Sequence, residues 1–121
     1  MNTSTAFRIA TVFGFLAVAL GAFGAHGLES VFKQNGLGDR WQTATFYHLV
    51  HAVVLLAIVH REGFSRIAWW LMVAGIVLFS GSLYLYAATG NRAFALYTPP
   101  IGGVALIGGW LVLAIRGLPR A

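Results

Sequence analysis

Apolar residues fill four long stretches of the chain, and polar residues are mostly confined to the short segments between them. The stretches cover about residues 7–26, 42–60, 66–88 and 99–116. A helix needs about 20 apolar residues to cross the ~30 Å hydrocarbon core of a bilayer. Because lipid offers exposed backbone groups no hydrogen-bond partners, such stretches must be helical. The pattern therefore predicts an all-α fold, an integral membrane bundle of four transmembrane helices in a single domain over residues 1–121.

Local signals mark where three of these spans begin. Asp39, with Gln42 three residues later, predicts a capping box that opens the second span. Ser65 is placed to cap the third span. Thr98 followed by Pro99 predicts a cap with proline in the first turn of the fourth span.

The connector between the first two spans carries a short amphipathic pattern. Over residues 28–34, apolar side chains recur on one side and charged side chains lie elsewhere, and Asn35-Gly36 then breaks the pattern. A short helix with one apolar face can lie in the plane of the membrane interface. The sequence thus predicts a short interfacial helix between helices 1 and 2.

Composition argues strongly against a soluble protein. Hydrophobic residues make up 59% of the chain, charged residues make up only 9%, and the mean hydropathy is +0.79. The net charge is +5, but the basic residues are scattered singly at the ends of the spans. That distribution is typical of headgroup contact, so lipid and not nucleic acid is the expected partner. The chain has no cysteine, which excludes disulfides and thiolate catalysis.

The first span has some features of a secretory signal. Arg8 precedes its apolar run, and Ala22 and Gly24 could form a cleavage site. The run is longer than the usual core of a signal peptide. We therefore expect it to be retained as a membrane helix.

Basic residues predict the orientation of the bundle. Five of the eight fall on the side shared by the N-terminus, the loop after the second span and the C-terminus. Short loops rich in arginine and lysine stay in the cytoplasm. We therefore predict a multi-pass protein of the bacterial inner membrane with both termini cytoplasmic. The five are Arg8, Arg61, Arg66, Arg116 and Arg120, against Lys33, Arg40 and Arg92 on the other side.

Four motifs occur in order along the chain. They are GAFGAHGL at 21–28, WQTATFYHLVHA at 41–52, FSGSLY at 79–84 followed by Thr89-Gly90, and TPPIGG at 98–103 followed by Gly109-Trp110. Together they resemble a family of small four-helix bacterial inner-membrane proteins of unknown function, which is similar to transmembrane protein 256. The chain departs from the family pattern in carrying two prolines, Pro99 and Pro100, before the glycine pair. The resemblance implies the fold and the membrane, but no activity.

Polar residues inside the spans define the candidate site. His48 and His51 are three residues apart on the second helix and therefore share a face. Counted at ~1.5 Å per residue, they lie ~8 and ~12 Å below the outer boundary, and Tyr84 and Ser80 of the third helix lie ~6 and ~12 Å below it. We predict a buried polar layer of His48, His51, Ser80 and Tyr84, roofed by His26 at the end of the first helix.

Three interpretations of this layer remain open. The imidazoles could form hydrogen bonds that fix helix register, could bind a ligand, or could move a proton or solute. A haem would need imidazoles from opposing helices. Because no acidic residue lies within a span, no metal site and no cofactor are predicted. The polar residues within the spans likewise include no catalytic set, and enzymatic activity is not expected.

Small residues recur at helical spacing on the first and fourth helices. Such stripes let helix backbones approach closely, which drives association where lipid removes the hydrophobic advantage. The surface that these small residues form could pack against a helix of the same chain or against a second copy. The predicted packing residues are Gly14, Ala17, Gly21, Ala25, Gly102, Gly103 and Gly109.

Two functional hypotheses follow. The first is a small packing or accessory partner within the membrane, surrounded by the lipid bilayer and assembled as a homo-oligomer or in a larger membrane complex. The second is a small-molecule or lipid binding or transport module that uses the outer layer of His, Tyr and Ser.

Overall fold

The computed structural model describes residues 1–118, and every regular element in this part of the chain is helical. Four stretches are long and apolar enough to cross a membrane: Thr3–His26, Gly38–Val59, Arg66–Thr89 and Ala93–Arg116. This confirms the predicted all-α membrane bundle of four helices. Arg120, which belongs to the orientation prediction, lies outside the described residues. The helices are labelled α1 (Thr3–His26), α2 (Glu29–Asn35), α3 (Gly38–Val59), α4 (Arg66–Thr89), α5 (Ala93–Leu96) and α6 (Thr98–Arg116).

Two of the predicted helix starts are wrong, and one is confirmed. Ser65 caps α4 as expected, since its Oγ accepts a hydrogen bond from the Ala68 N–H at 3.1 Å. Asp39 does not cap α3, which already begins at Gly38. Thr98 does not cap α6 either, because it is the first helical residue and Tyr97 precedes it as the cap position.

The physical reason lies in the connectors. The Asn35 side chain donates to the Ala87 carbonyl at 2.9 Å and accepts from the Leu37 N–H at 2.9 Å. The backbone is therefore turned before it reaches Asp39. In the same way, the helical turn α5 leads directly into α6, and the Tyr97 carbonyl accepts from the Ile101 N–H at 3.2 Å.

The predicted short helix between the first two spans is present as α2. It ends at Gly36, whose φ of 71° lies in the left-handed region that glycine adopts without strain. Lys33 and Glu29 form an exposed ion pair at 3.3 Å on its surface. Its position at the membrane interface stays a prediction.

Helices α3 and α4 form the centre of the bundle. α1 packs along α3 on one side, and α6 packs along α4 on the other, so that α1 and α6 have no close backbone contact. The apolar core lies toward the end that carries the α3–α4 loop, where small residues of α1 meet large ones of the other helices. It comprises Ala6, Ala10, Leu55, Ile58, Val59, Trp69, Met72, Ile76 and Leu106.

Glycines of α6 bring it close to α4. A Cβ added at Gly102 would collide with the backbone of Leu78 and Phe79, and one at Gly109 would lie 3.0 Å from the Met72 side chain. At Gly103 the nearest atom would be 3.8 Å away, which is ordinary contact. Gly102 therefore has no room for a side chain, because α4 runs directly against it. This stretch of α4, Ile76–Gly81, is π-helical.

The small residues of α1 divide between two environments. Ala17 is fully buried, and a Cβ at Gly21 would lie 3.0 Å from the Thr45 side chain of α3. In contrast, no atom lies within 4 Å of a Cβ added at Gly14, and Ala25 is exposed. Only part of the stripe therefore packs within one chain.

Candidate functional site

His48 stands where three helices meet. It lies on α3 with only 4% of its surface exposed, and its Nδ1 is 2.9 Å from the Tyr84 hydroxyl of α4. The Phe13 ring of α1 meets the imidazole edge-on at 6.0 Å. Trp41 packs on the other side of Tyr84, with ring centroids 4.7 Å apart. The His48–Tyr84 pair is therefore enclosed by aromatic rings.

The second ring nitrogen of His48 has no hydrogen-bond partner among residues 1–118. The Phe13 backbone carbonyl approaches the imidazole without meeting hydrogen-bond geometry at this nitrogen. If the Tyr84 hydroxyl donates to Nδ1, Nε2 carries an unpaired proton, and in the other tautomer Nε2 is an unpaired acceptor. This nitrogen is the one atom of the predicted layer that is left unsatisfied within the described residues.

His51 has partners at both nitrogens. Its Nε2 accepts from the Trp110 indole N–H of α6 at 3.0 Å, and its Nδ1 lies 2.7 Å from the Tyr47 carbonyl. Because indole can only donate, Nε2 must carry no proton. The proton is therefore on Nδ1 and is donated to the Tyr47 carbonyl. His51 thus links α3 to α6 as a neutral imidazole.

Ser80 links α4 to α3. It is fully buried in the π-helical stretch, and its Oγ donates to the Ala44 carbonyl at 2.8 Å. No hydrogen bond joins it to His51 within residues 1–118, although both were predicted at the same depth. The hydrogen-bond partner of Ser80 is therefore a backbone carbonyl.

The predicted layer thus consists of three separate links between helices. His48 pairs with Tyr84, Ser80 pairs with the α3 backbone, and His51 pairs with α6. His26 lies exposed at the end of α1, and no hydrogen bond or ring contact joins it to the others in the described part of the chain. Of the five predicted residues, the structure therefore joins only His48 and Tyr84 to each other, while His51 and Ser80 have other partners.

Trp110 and Trp41 are the residues that sequence reasoning missed. Trp110 looks like an interfacial belt residue, yet its indole is the partner of His51. Its depth is the signal that could have found it, because Trp110 lies about 18 Å from the start of α6 and His51 about 20 Å from the start of α3. Trp41 is buried and its indole N–H donates to the Leu20 carbonyl of α1 at 2.9 Å.

The site has no arrangement suited to metal binding. Within residues 1–118, no three His, Cys, Asp or Glu side chains come together in a way that could hold an ion. A crevice of about 300 Å³ does open beside the layer, between α1, α2 and α3. Its walls include Gly21, Trp41 and Thr45, but neither buried histidine lines it.

Comparison with known proteins identifies relatives along most of the chain. A UPF0382 membrane protein of Staphylococcus epidermidis is 47% identical over 110 residues, which cover 88% of each chain. The UPF0382 membrane protein YwdK of Bacillus subtilis is 42% identical over 109 residues, covering 85% of this chain and 87% of its own. The UPF0382 inner membrane protein YgdD of Escherichia coli is 38% identical over 115 residues, covering 90% of this chain and 86% of its own. No solved structure matches.

The family match covers residues 20–103, from the end of α1 to the glycine pair of α6. It includes the motifs that carry the resemblance except Gly109-Trp110, so the expected family is confirmed, whereas the likeness to transmembrane protein 256 stays a prediction. With four apolar helices of spanning length and membrane proteins as relatives, this chain is an integral membrane protein. It belongs to the family described as protein of unknown function (DUF423).

Proposed function

We propose that this protein is a small accessory partner in the bacterial inner membrane, which holds its own helices together through polar links and offers its outer helices to other membrane helices. The observation that carries the proposal is the pairing inside the bundle. Both nitrogens of His51 and the hydroxyl of Ser80 are occupied by groups of the same chain. Groups engaged in this way stabilise the fold and are not free for a substrate.

The lateral surfaces of the bundle support the second half of the proposal. Only 17% of the most apolar stretch of α1 is buried, against 44% for α4. Gly14 lies on α1 with open space beside it. Because membrane helices associate through close packing at small residues, this surface suits another helix, from a second copy or from a different protein.

The test compares adjacent residues of one helix, of which one is exposed and the other is buried. A photo-crosslinking amino acid is placed at Val18, which is 63% exposed, or at Ala17, which is fully buried. The corresponding pair on α6 is Ile107, which is 68% exposed, and Leu106, which is 4% exposed. We expect a defined protein adduct in intact membranes from the exposed member of at least one pair and none from its buried neighbour. Adducts to lipid alone at all four positions would contradict an accessory role.

The proposed orientation, with both termini cytoplasmic, rests on the positive residues and can be tested by labelling. The chain has no cysteine, so single substitutions give a clean signal. Asn91→Cys lies in the exposed connector after α4, and Glu62→Cys lies in the exposed loop after α3. We expect a membrane-impermeant maleimide to label position 91 in intact spheroplasts and position 62 only after lysis. The opposite pattern would reverse the topology.

A second candidate function is binding of an amphiphile in the crevice between α1, α2 and α3. Trp41 and Phe46 line the crevice, and it adjoins a second hollow lined by Glu29, Lys33 and Asp39. An apolar cleft beside two carboxylates and one ammonium group fits a molecule with one hydrocarbon chain and a polar head.

Filling the crevice separates this candidate from the first. Ala25 lines the crevice, whereas Ala22 is exposed elsewhere on the same helix. We expect Ala25→Phe to remove any co-purified amphiphile detected by native mass spectrometry, and Ala22→Phe to leave it bound. Wild-type protein that carries no such molecule would eliminate this candidate and leave the accessory role untouched.

A further inference from the structure

Arginines gather around a hollow at the end of the bundle opposite α2. A cavity of about 240 Å³ lies between the α3–α4 loop and the last turn of α6. Arg61, Ser65 and Arg116 line it, and its apolar wall is formed by Ile58 and Leu113. A wider groove next to it shares Arg61 and reaches Arg66 and the N-terminus.

Backbone groups hold two of these guanidinium groups in place. Arg61 Nη2 donates to the Gly117 carbonyl at 3.3 Å, and Arg66 Nη2 donates to the Met1 carbonyl at 3.5 Å. A guanidinium group has five N–H donors, so most of them remain free. Within residues 1–118 none of these arginines forms an ion pair, since the ion pair found there joins Lys33 and Glu29 on α2.

The local charge is positive. Glu62 also lines the hollow, and the C-terminal end of α6 contributes partial negative charge. Against these stand Arg61 and Arg116, which line the hollow, and the positive end of α4, which begins at Arg66. Arg66 and the N-terminal residue line the adjoining groove. An anion entering the hollow therefore meets more positive than negative charge.

We infer that this hollow binds the phosphate headgroup of an anionic phospholipid. The cavity lies where α3 and α6 end, and helices that just span the hydrocarbon core end near the headgroups. Ile58 and Leu113 form its apolar wall. Its volume equals roughly eight waters at ~30 Å³ each, which is room for a headgroup while the acyl chains stay in the bilayer. Arginine pairs with phosphate through two parallel hydrogen bonds. This site is independent of the accessory role proposed above.

The test measures lipid preference by native mass spectrometry. Purified full-length protein in mild detergent is mixed with equal amounts of phosphatidylglycerol, phosphatidylethanolamine and phosphatidylcholine that carry identical acyl chains. We expect phosphatidylglycerol to be retained in preference to the other two. Equal retention of all three would overturn the inference without any variant. Displacement of the lipid by excess inorganic phosphate would also overturn it, because the site would then take a free anion.

Variants locate the site. Arg61→Gln and Arg116→Gln should each lower the preference for phosphatidylglycerol roughly fivefold, in line with ~1 kcal/mol for a basic residue near an anionic surface. Arg61→Lys should retain more of the preference than Arg61→Gln, because it keeps the charge. Arg40→Gln is the matched control, since Arg40 is an exposed arginine at the opposite end. An equal loss in the Arg40 variant would show general attraction and refute a defined site.

Discussion

The hydrogen bond between His51 and Trp110 joins α3 to α6, two helices that have no close backbone contact with each other. Trp110→Phe removes the indole N–H but keeps an aromatic ring at the contact, where the two rings meet edge-on at 6.0 Å. The change leaves His51 Nε2 as a buried acceptor without its donor. We therefore expect Trp110→Phe to destabilise the fold.

The expected magnitude is about 1 kcal/mol. Leaving a buried acceptor unpaired in a soluble protein costs about 1–3 kcal/mol. Between membrane helices the measured coupling is smaller, about 0.6 kcal/mol on average and ~1.7 kcal/mol at most, because the unfolded chain in the membrane also finds partners. Trp110 is 48% exposed, so part of its ring faces lipid in the folded state and gains little from burial. The membrane value therefore applies.

The assay is a double-mutant cycle with Trp110→Phe, His51→Leu and the double variant. Unfolding is driven by increasing SDS in mixed micelles and followed by brief proteolysis, which does not rely on the tryptophans. We expect a coupling free energy of about 0.6–1.7 kcal/mol. His51→Gln should keep most of the stability, because its side-chain oxygen can still accept from Trp110.

A matched control is Trp70→Phe, because Trp70 is also about half exposed and its ring meets Trp69 edge-on. It should show no coupling to His51. A coupling energy of zero between His51 and Trp110 would refute the assignment of this hydrogen bond. A His51→Gln variant that folds normally but loses a function detected in cells would instead point to a role that needs imidazole.

Two further predictions concern packing, and a third concerns an interhelical hydrogen bond. Gly102→Ala should cost about 1–3 kcal/mol through overpacking against the α4 backbone, whereas Gly103→Ala should be neutral or stabilising because alanine favours the helix by ~1 kcal/mol. Gly21→Leu should destabilise the monomer by about 1–3 kcal/mol and Gly14→Leu should not, and equal effects would contradict the two environments of α1. Ser80→Ala should cost only about 0.6 kcal/mol, since it removes one interhelical hydrogen bond. The same SDS unfolding assay measures all three.

Local start signals could be read from sequence only where the preceding backbone is extended. Ser65 caps α4 because its backbone is extended, at ψ 113°, before the helix begins. Asp39 carries the same kind of signal and fails, because Asn35 turns the chain earlier through hydrogen bonds to Leu37 and to Ala87 of α4. The Ala87 contact joins residues far apart in the chain and is invisible to a local pattern.

The sequence by itself determined the four spans and the level of His48 relative to Tyr84. Span length is set by the thickness of the hydrocarbon core and by the need to satisfy backbone hydrogen bonds. The number of consecutive apolar residues therefore identifies each span. The same counting brought His48 level with Tyr84, and the two are hydrogen-bonded. Depth along an axis is a one-dimensional quantity, so one chain is enough to find it.

Tertiary structure alone decided which neighbour each side chain meets. His51 was expected level with Ser80 in one polar layer, and its hydrogen-bond partner on a neighbouring helix is Trp110. Close packing of α6 on α4 requires Gly102, and this contact places α6 where its indole reaches His51. Rotation of a helix about its axis depends on the shapes of all the helices around it, and in a bilayer no hydrophobic difference between protein and lipid selects one face. That choice is therefore made by packing and by interhelical hydrogen bonds, which exist only once the bundle has formed.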